Sequence, residues 1–220
     1  SFGDSFHCPR NGGILETSQG HVPWLVFVYT AYCMEEQKNV SLKDMNTLGV
    51  DVIASNFIRV ESINELQKVI RLAKREKKEW LLLGGGSNIC FVDKKINKLV
   101  IHVNILGIET LEDVVIVGAG EKWDPFVAYA TKNNVLYIEN LSGIPGTVGA
   151  SPIQNIGAYG IELKDIVDWV EVYDSSRDSI EKMSVSDCHF GYRDSIFKKV
   201  EGQKYIVTRV DRKSTRLNSS

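Results

Sequence analysis

The chain lacks most of what would classify it quickly. Its 220 residues hold no apolar run near the ~20 that a membrane-spanning helix needs. A formal net charge of −2 leaves no basic footprint for nucleic acid. There is no internal repeat and no low-complexity tract. Cysteine is scarce: Cys8 and Cys33 lie near the start, and Cys90 and Cys188 stand far apart without ligand spacing. That usage argues against a disulfide framework or a zinc site and agrees with a cytosolic protein. His102 and His189 are single histidines and read as structural. The Walker pattern G-x-x-x-x-G-K-[ST] is absent. The dinucleotide fingerprint G-x-G-x-x-G fails twice. Gly84-Gly85-Gly86-Ser87-Asn88-Ile89 has no third glycine, and Gly118-Ala119-Gly120 reaches Trp123 in that place.

What is present describes an ordinary globular protein, 43% apolar and 25% charged, of one large or two small domains. Residues 1–33 have no period, and their apolar run HVPWLVFVYTAYC is broken by Pro23. A signal peptide would need a basic start and a small-residue cleavage site, and both are missing. Met34 reads as the natural start, and 1–33 as a non-native leader. At the other end DRKSTRLNSS (211–220) is almost without apolar residues. It resembles read-through of a common sequencing adapter, with a disordered polar tail as the alternative. The domain is therefore expected to close at Val210, on a gene cut short.

Between these ends strand and helix patterns alternate. SNFIRV (55–60) reads as a strand. Ser62 and Glu65 form a capping box, and Leu66, Val69, Ile70 and Ala73 recur at helical spacing behind it. The basic run Lys74–Lys78 closes that helix as a solvated face. EWLLL, KLVIHV (98–103) and VVIVGAGE (114–121) read as strands. Asp124 and Pro125 predict a helix with Asp124 as N-cap and Pro125 first in the helix. IVDWVEVYD (166–174) is apolar on both faces and reads as a buried strand, with IEKMSV and KYIVTRV as later ones. The expected fold class is α+β, in two small subdomains of about 34–104 and 105–210.

Two stretches carry chemistry. In LLLGGGSN (81–88) a buried strand runs into three glycines. Such a turn can aim several backbone N–H groups at one point and so bind an anion with no charged side chain. Ser87 and Asn88 can add hydrogen bonds, and a pyrophosphate suits the arrangement; a plain tight turn is the alternative. GIPGTVGASPIQNIGAYG (143–160) is charge-free and glycine-dense yet keeps Ile144, Ile153 and Ile156. Small residues let backbone lie flat on a planar ring, and Gln154 and Asn155 can bond its polar edges. A buried crossing that merely needs close packing is the alternative.

LLLGGGSN, VGAGEKW, ENLSGIPGTVGASPIQNIGAYG and FGYRDSIFK, in this order, resemble the UDP-N-acetylenolpyruvoylglucosamine reductase (MurB) family, type I branch. The resemblance runs from NVSLKDMNTLGV, near Val40, to about Val210. It implies a two-subdomain FAD-binding domain of the vanillyl-alcohol-oxidase (PCMH) type. It sets Gly84, Gly85, Gly86, Ser87 and Asn88 on the FAD pyrophosphate. It sets Ile144, Gly146, Gly149, Ala150, Ser151, Gln154, Ile156 and Gly160 around the flavin. The turn offers neither His nor Cys, so FAD is expected to be held noncovalently.

The activity implied is reduction of UDP-N-acetylglucosamine enolpyruvate to UDP-N-acetylmuramate, with NADPH as co-substrate, for peptidoglycan synthesis. Negative charge develops on the substrate carboxylate, and a fixed guanidinium would stabilise it. Arg193 of GYRDS takes that catalytic role by resemblance, against a surface pair with Asp194 as the alternative. Tyr192 is expected as a substrate-site wall, with core packing as the alternative. The family's acid serine and its glutamate belong to a C-terminal substrate domain that is expected to be absent, as is the tyrosine loop that closes over substrate. Ser195 and Glu201 match neither motif. The chain alone is therefore expected to bind flavin at most, since losing the acid costs ~10²–10⁴ in rate. No metal, membrane or obligate protein partner is indicated, and the expected location is cytoplasmic. Alternatives are another oxidoreductase on the same flavin fold, a non-catalytic fragment, or a module for another phosphate ligand.

Overall fold

The structure, a computed structural model, describes residues 35–213 except 112–113, 134 and 136, with Lys213 by backbone alone. The leader at 1–33 and the tail from 214 lie outside the described residues.

The first sheet has the order β1-β2-β4-β3, from β1 (Gln37–Ser41), β2 (Ile53–Val60), β3 (Trp80–Leu83) and β4 (Lys95–Val103). β1 is antiparallel to β2; the other pairs are parallel. Helix α1 (Ile63–Arg75) makes the crossover from β2 to β3, which flank β4 and run parallel to it. Its start follows the sequence closely. Ser62 Oγ accepts from Glu65 N at 3.2 Å, while Glu65 Oε2 accepts from Glu61 N at 2.7 Å, one residue before the cap. Leu66, Val69, Ile70 and Ala73 are its buried residues, one stripe of a 3.6-residue period. They meet Ile58, Val60, Leu99, Ile101 and Val103 of the sheet. Full burial of each larger aliphatic side chain contributes about 1.5–3 kcal/mol. Val100, between Leu99 and Ile101, points to the opposite face with Leu42, Val52, Phe57 and Leu83, as strand alternation demands.

The second sheet has the order β10-β9-β11-β6-β5 and is antiparallel throughout. Its strands are β5 (Ile108–Leu111), β6 (Val114–Gly118), β9 (Val167–Asp174), β10 (Ser179–Ser184) and β11 (Tyr205–Lys213). Two-residue strands β7 (Gly157–Ala158) and β8 (Ile161–Glu162) pair on their own. β11 runs three residues past the expected boundary at Val210. Asp211, Arg212 and Lys213 stay in register with Ile116, Val115 and Val114 of β6, so ladder pairing overrides the polar character of that stretch.

Helix α2 spans Trp123–Lys132, with Lys122 as N-cap. It thus begins two residues before the expected Pro125. Asp124 does not cap it; its Oδ1 accepts from Ser142 Oγ at 2.8 Å and Gly143 N at 2.6 Å. A tertiary contact has claimed the carboxylate. Trp123, Phe126, Val127 and Ala130 pack inward, and Trp123 Nε1 donates to Leu141 O at 2.8 Å.

The two sheets share a core. Ala119, Tyr173 and Ile206 from the second half pack into the α1 cluster. Beyond them Asp178 accepts from Arg71 Nε at 2.9 and 2.7 Å and from Tyr173 OH at 2.7 Å. The halves are therefore held together behind the cleft that separates them in front.

Candidate functional site

Sheet and loop sequences converge on a cleft of about 280 Å³. Its lining runs from Leu82–Ile89 on one side to Thr147, Gly149–Ser151, Ile153, Gln154 and Ile156 on the other, over a floor of Val103, Ala119, Trp123, Ile206 and Val207. The size is near the lower end of the ~300–1,000 Å³ of small-molecule sites. None of these lining side chains is charged.

The glycine turn forms one wall. Among the described residues, the N–H groups of Gly85, Gly86, Ser87 and Asn88 donate to no protein acceptor. Four successive amides without a protein acceptor at the mouth of a cleft, two of them on exposed residues, can present their N–H groups together to one anion. The absence of side chains also serves the protein. Gly86 has φ +64, and a Cβ there would sit on the Met45 carbonyl and 2.8 Å from Asn46 Cα. A Cβ at Gly85 would fall 3.1 Å from Gly146 Cα. Ser87 Oγ donates to Pro145 O at 3.1 Å, tying this wall to the facing loop.

The facing loop is a chain of short 3-10 turns, Val148–Ala150 and Pro152–Gln154. Gly149 N donates to Ala119 O at 2.9 Å, and a Cβ at Gly149 would come 3.0 Å from Ala119 Cα. Only glycine lets this loop lie against the β6 exit. Ser151 is buried, its Oγ donating to Val148 O at 2.6 Å.

Of the residues named from the sequence, the cleft brings together Gly84, Gly85, Gly86, Ser87, Asn88, Gly149, Ala150, Ser151, Gln154 and Ile156. Gly146 stands behind the wall against Ser87, and Ile144 packs on the core. Gly160 is exposed at the β7–β8 tip with φ +81. Asn155 corrects its expectation: it is 1% exposed, and its amide is engaged within the protein. Nδ2 donates to Gly191 O at 3.0 Å and Oδ1 accepts from Lys164 N at 3.1 Å.

Arg193 and Tyr192 do not line the cleft; Tyr192 is 87% exposed. They sit on a tight turn in which Gly191 and Asp194 bond each other's backbone, with Arg193 at φ +53. That turn is stapled to the cleft wall by Asn155 and by Ser195, whose Oγ donates to Ile153 O at 2.7 Å. Asp194 pairs with Lys199 at 2.5 Å rather than with Arg193.

Sequence reasoning missed Ala119, Trp123, Thr147, Ile206 and Val207. Ile206 and Val207 are adjacent on one strand yet both line the cleft, beside a register shift between Val207 and Arg209. An irregularity of that kind re-aims side chains and leaves no mark in composition. Thr208, at the shift, accepts from Ala119 N through its carbonyl at 3.0 Å. Among the described residues no cluster could hold a metal ion, and no helix is long and apolar enough to cross a membrane.

The geometry fits a bulky phosphate joined to an apolar ring system. Comparison with known proteins gives the class: residues 54–183 match the FAD binding domain family, and the chain belongs to that family. Over 190 residues it is 42% identical to a UDP-N-acetylenolpyruvoylglucosamine reductase of Flavobacterium johnsoniae, covering 84% of this chain and 56% of that protein. The chain spans about half the length of the curated relatives it matches. Among solved structures, the reductase (MurB) of Thermus caldophilus aligns with a TM-score of 0.67 at 31% identity, over 82% of this chain and 62% of that one. BBE-like 1 of Physcomitrella patens aligns at 0.54 and 16% identity, over 73% and 36%, a likeness of fold alone.

Proposed function

We propose that this chain is the flavin-holding part of a reductase that converts UDP-N-acetylglucosamine enolpyruvate to UDP-N-acetylmuramate at the expense of NADPH. The observation that carries it is the run of four unpartnered amide N–H groups at Gly85–Asn88, on the wall of a cleft with no charged side chain. A diphosphate accepts from those amides, and the dry floor of Ala119, Ile206 and Val207 takes the apolar part of the cofactor. FAD is larger than the cleft, so part of it lies outside the walls named here. Bound there, FAD would supply the hydride relay between nicotinamide and alkene.

The chain's own residues then do three things. Gly84–Asn88 fix the phosphates. Gly149–Gln154 bound the ring and exclude water. Arg193 supplies a permanent cation for the charge that grows on the substrate carboxylate. Its turn is tied to the wall at Ile153 and Asn155. Ser195 is fully buried and donates to Ile153 O, so it cannot serve as proton donor to substrate. That acid comes from elsewhere in the protein. The substrate, as in the reductases that resemble the chain, points to a cytoplasmic enzyme.

Titrating FAD into the apo chain tests the reading. Quenched flavin fluorescence at a stoichiometry of one is expected. Free FAD that stays fully fluorescent at high protein concentration would refute it.

A further inference from the structure

The segment just before β2 carries Asn46 and Thr47. It lies outside the family match at 54–183, yet it touches the glycine turn. Asn46 is buried, and its carboxamide closes a loop on itself. Nδ2 donates to Leu42 O at 2.7 Å and Val50 O at 3.0 Å, and Oδ1 accepts from Val50 N at 3.0 Å. This holds Met45 and Asn46 in the space a side chain at Gly86 would occupy. Thr47 N then donates to Gly86 O at 3.2 Å. The far side of the turn is thereby pinned, while the N–H groups of 85–88 stay without protein acceptors.

We propose that Asn46 and Thr47 are positioning residues of the phosphate site: they hold Gly86 in its left-handed conformation from behind, so that the turn meets a diphosphate already formed. The inference rests on the flavin reading and adds a part the family match does not include. Its physical content is preorganisation. A three-glycine turn is entropically loose, and binding it in a single form would otherwise cost affinity.

The test uses the 220-residue chain with Asn46→Ala and Thr47→Pro. The second removes the N–H that Gly86 O accepts from and sets proline Cδ against that carbonyl, so it displaces the turn from behind. Thr47 is the second residue of a turn closed by Gly49 N to Asn46 O at 3.1 Å, where proline is favoured. Asn46 is already extended, at φ −143 and ψ 142, as a residue before proline must be. FAD affinity is followed by flavin fluorescence and the bound phosphates by ³¹P NMR. The expected result is an affinity weaker by about tenfold or more in both variants, with the phosphorus resonances displaced toward free FAD. Should Asn46→Ala fail to fold, Thr47→Pro decides alone. Affinities within about twofold of wild type overturn the inference and leave the flavin reading standing. Weaker binding with unmoved phosphorus resonances also overturns it, since that would be general loosening. A wild-type chain that binds no FAD removes both.

Discussion

Asn155 donates from Nδ2 to the carbonyl of Gly191 at 3.0 Å, across 36 residues of sequence. The bond joins the loop that walls the cleft to the turn that carries Arg193. Asn155 is itself left-handed, at φ 44 and ψ 64, so glycine can replace it without backbone strain. Asn155→Gly should cost about 1–3 kcal/mol, because Lys164 N loses its partner and Gly191 O is left with Asp194 N alone. It should also speed amide exchange across 191–194 while leaving 84–88 unaltered. A urea melt with exchange mass spectrometry checks both, and unchanged exchange at 191–194 would show that the staple does not order the arginine turn.

Two glycines with positive φ should respond in opposite ways. At Gly86 a methyl would overlap Met45 and Asn46 backbone, so Gly86→Ala must move the turn and should abolish FAD binding. At Gly143, φ +77, nothing lies within 4 Å of the added carbon, so alanine there carries only left-handed strain of about 1–2 kcal/mol. FAD affinity should survive that second change. Parallel titrations of the two variants decide it, and equal losses would mean that backbone strain alone, not the contact with residues 45–46, governs the site.

How much of this could be read from the sequence depends on range. Helix α1 was legible because Leu66, Val69, Ile70 and Ala73 repeat locally and nothing distant interferes. β1 and β5 were not, since QKNVS and IETL are short edge strands, mostly exposed and paired on one side only. The start of α2 was misplaced because Asp124 serves Ser142 and Gly143 instead of its own helix. At the site, both glycine-rich loops declare themselves by composition. Ala119, Ile206 and Val207 do not, because they reach the cleft only through the meeting of two sheets and an irregularity at Thr208.

The lining of the cleft contains no titratable side chain. An anion held by amides alone gains nothing from protonation of the site. FAD affinity should therefore stay constant within about twofold from roughly pH 6 to 9, where ordinary carboxylates and lysines keep their charge. A sigmoidal dependence of the dissociation constant on pH would reveal an ionising partner and contradict the neutral cleft.

Stability, unlike binding, should follow pH through His102. The imidazole lies on β4 between Arg59 of β2 and Leu83 of β3, its ring 6.1 Å from Phe57. Burial, then the nearby Arg59 cation, hold its pKa below the usual 6.5. The unfolded chain then binds the proton more readily than the native one, so stability falls as pH drops through 6.5 toward the native value. Asp174 acts in a separate window. Burial works against its ionisation, but hydrogen bonds from Ser176 and Arg177 and the ammonium of Lys204 outweigh it and hold the carboxyl at about 2. Its contribution is lost only between 3.8 and about 2. The urea midpoint should therefore fall between about pH 7.5 and 5.5 in the wild type and fall less in His102→Asn. Equal falls in the two proteins would assign the dependence to another group.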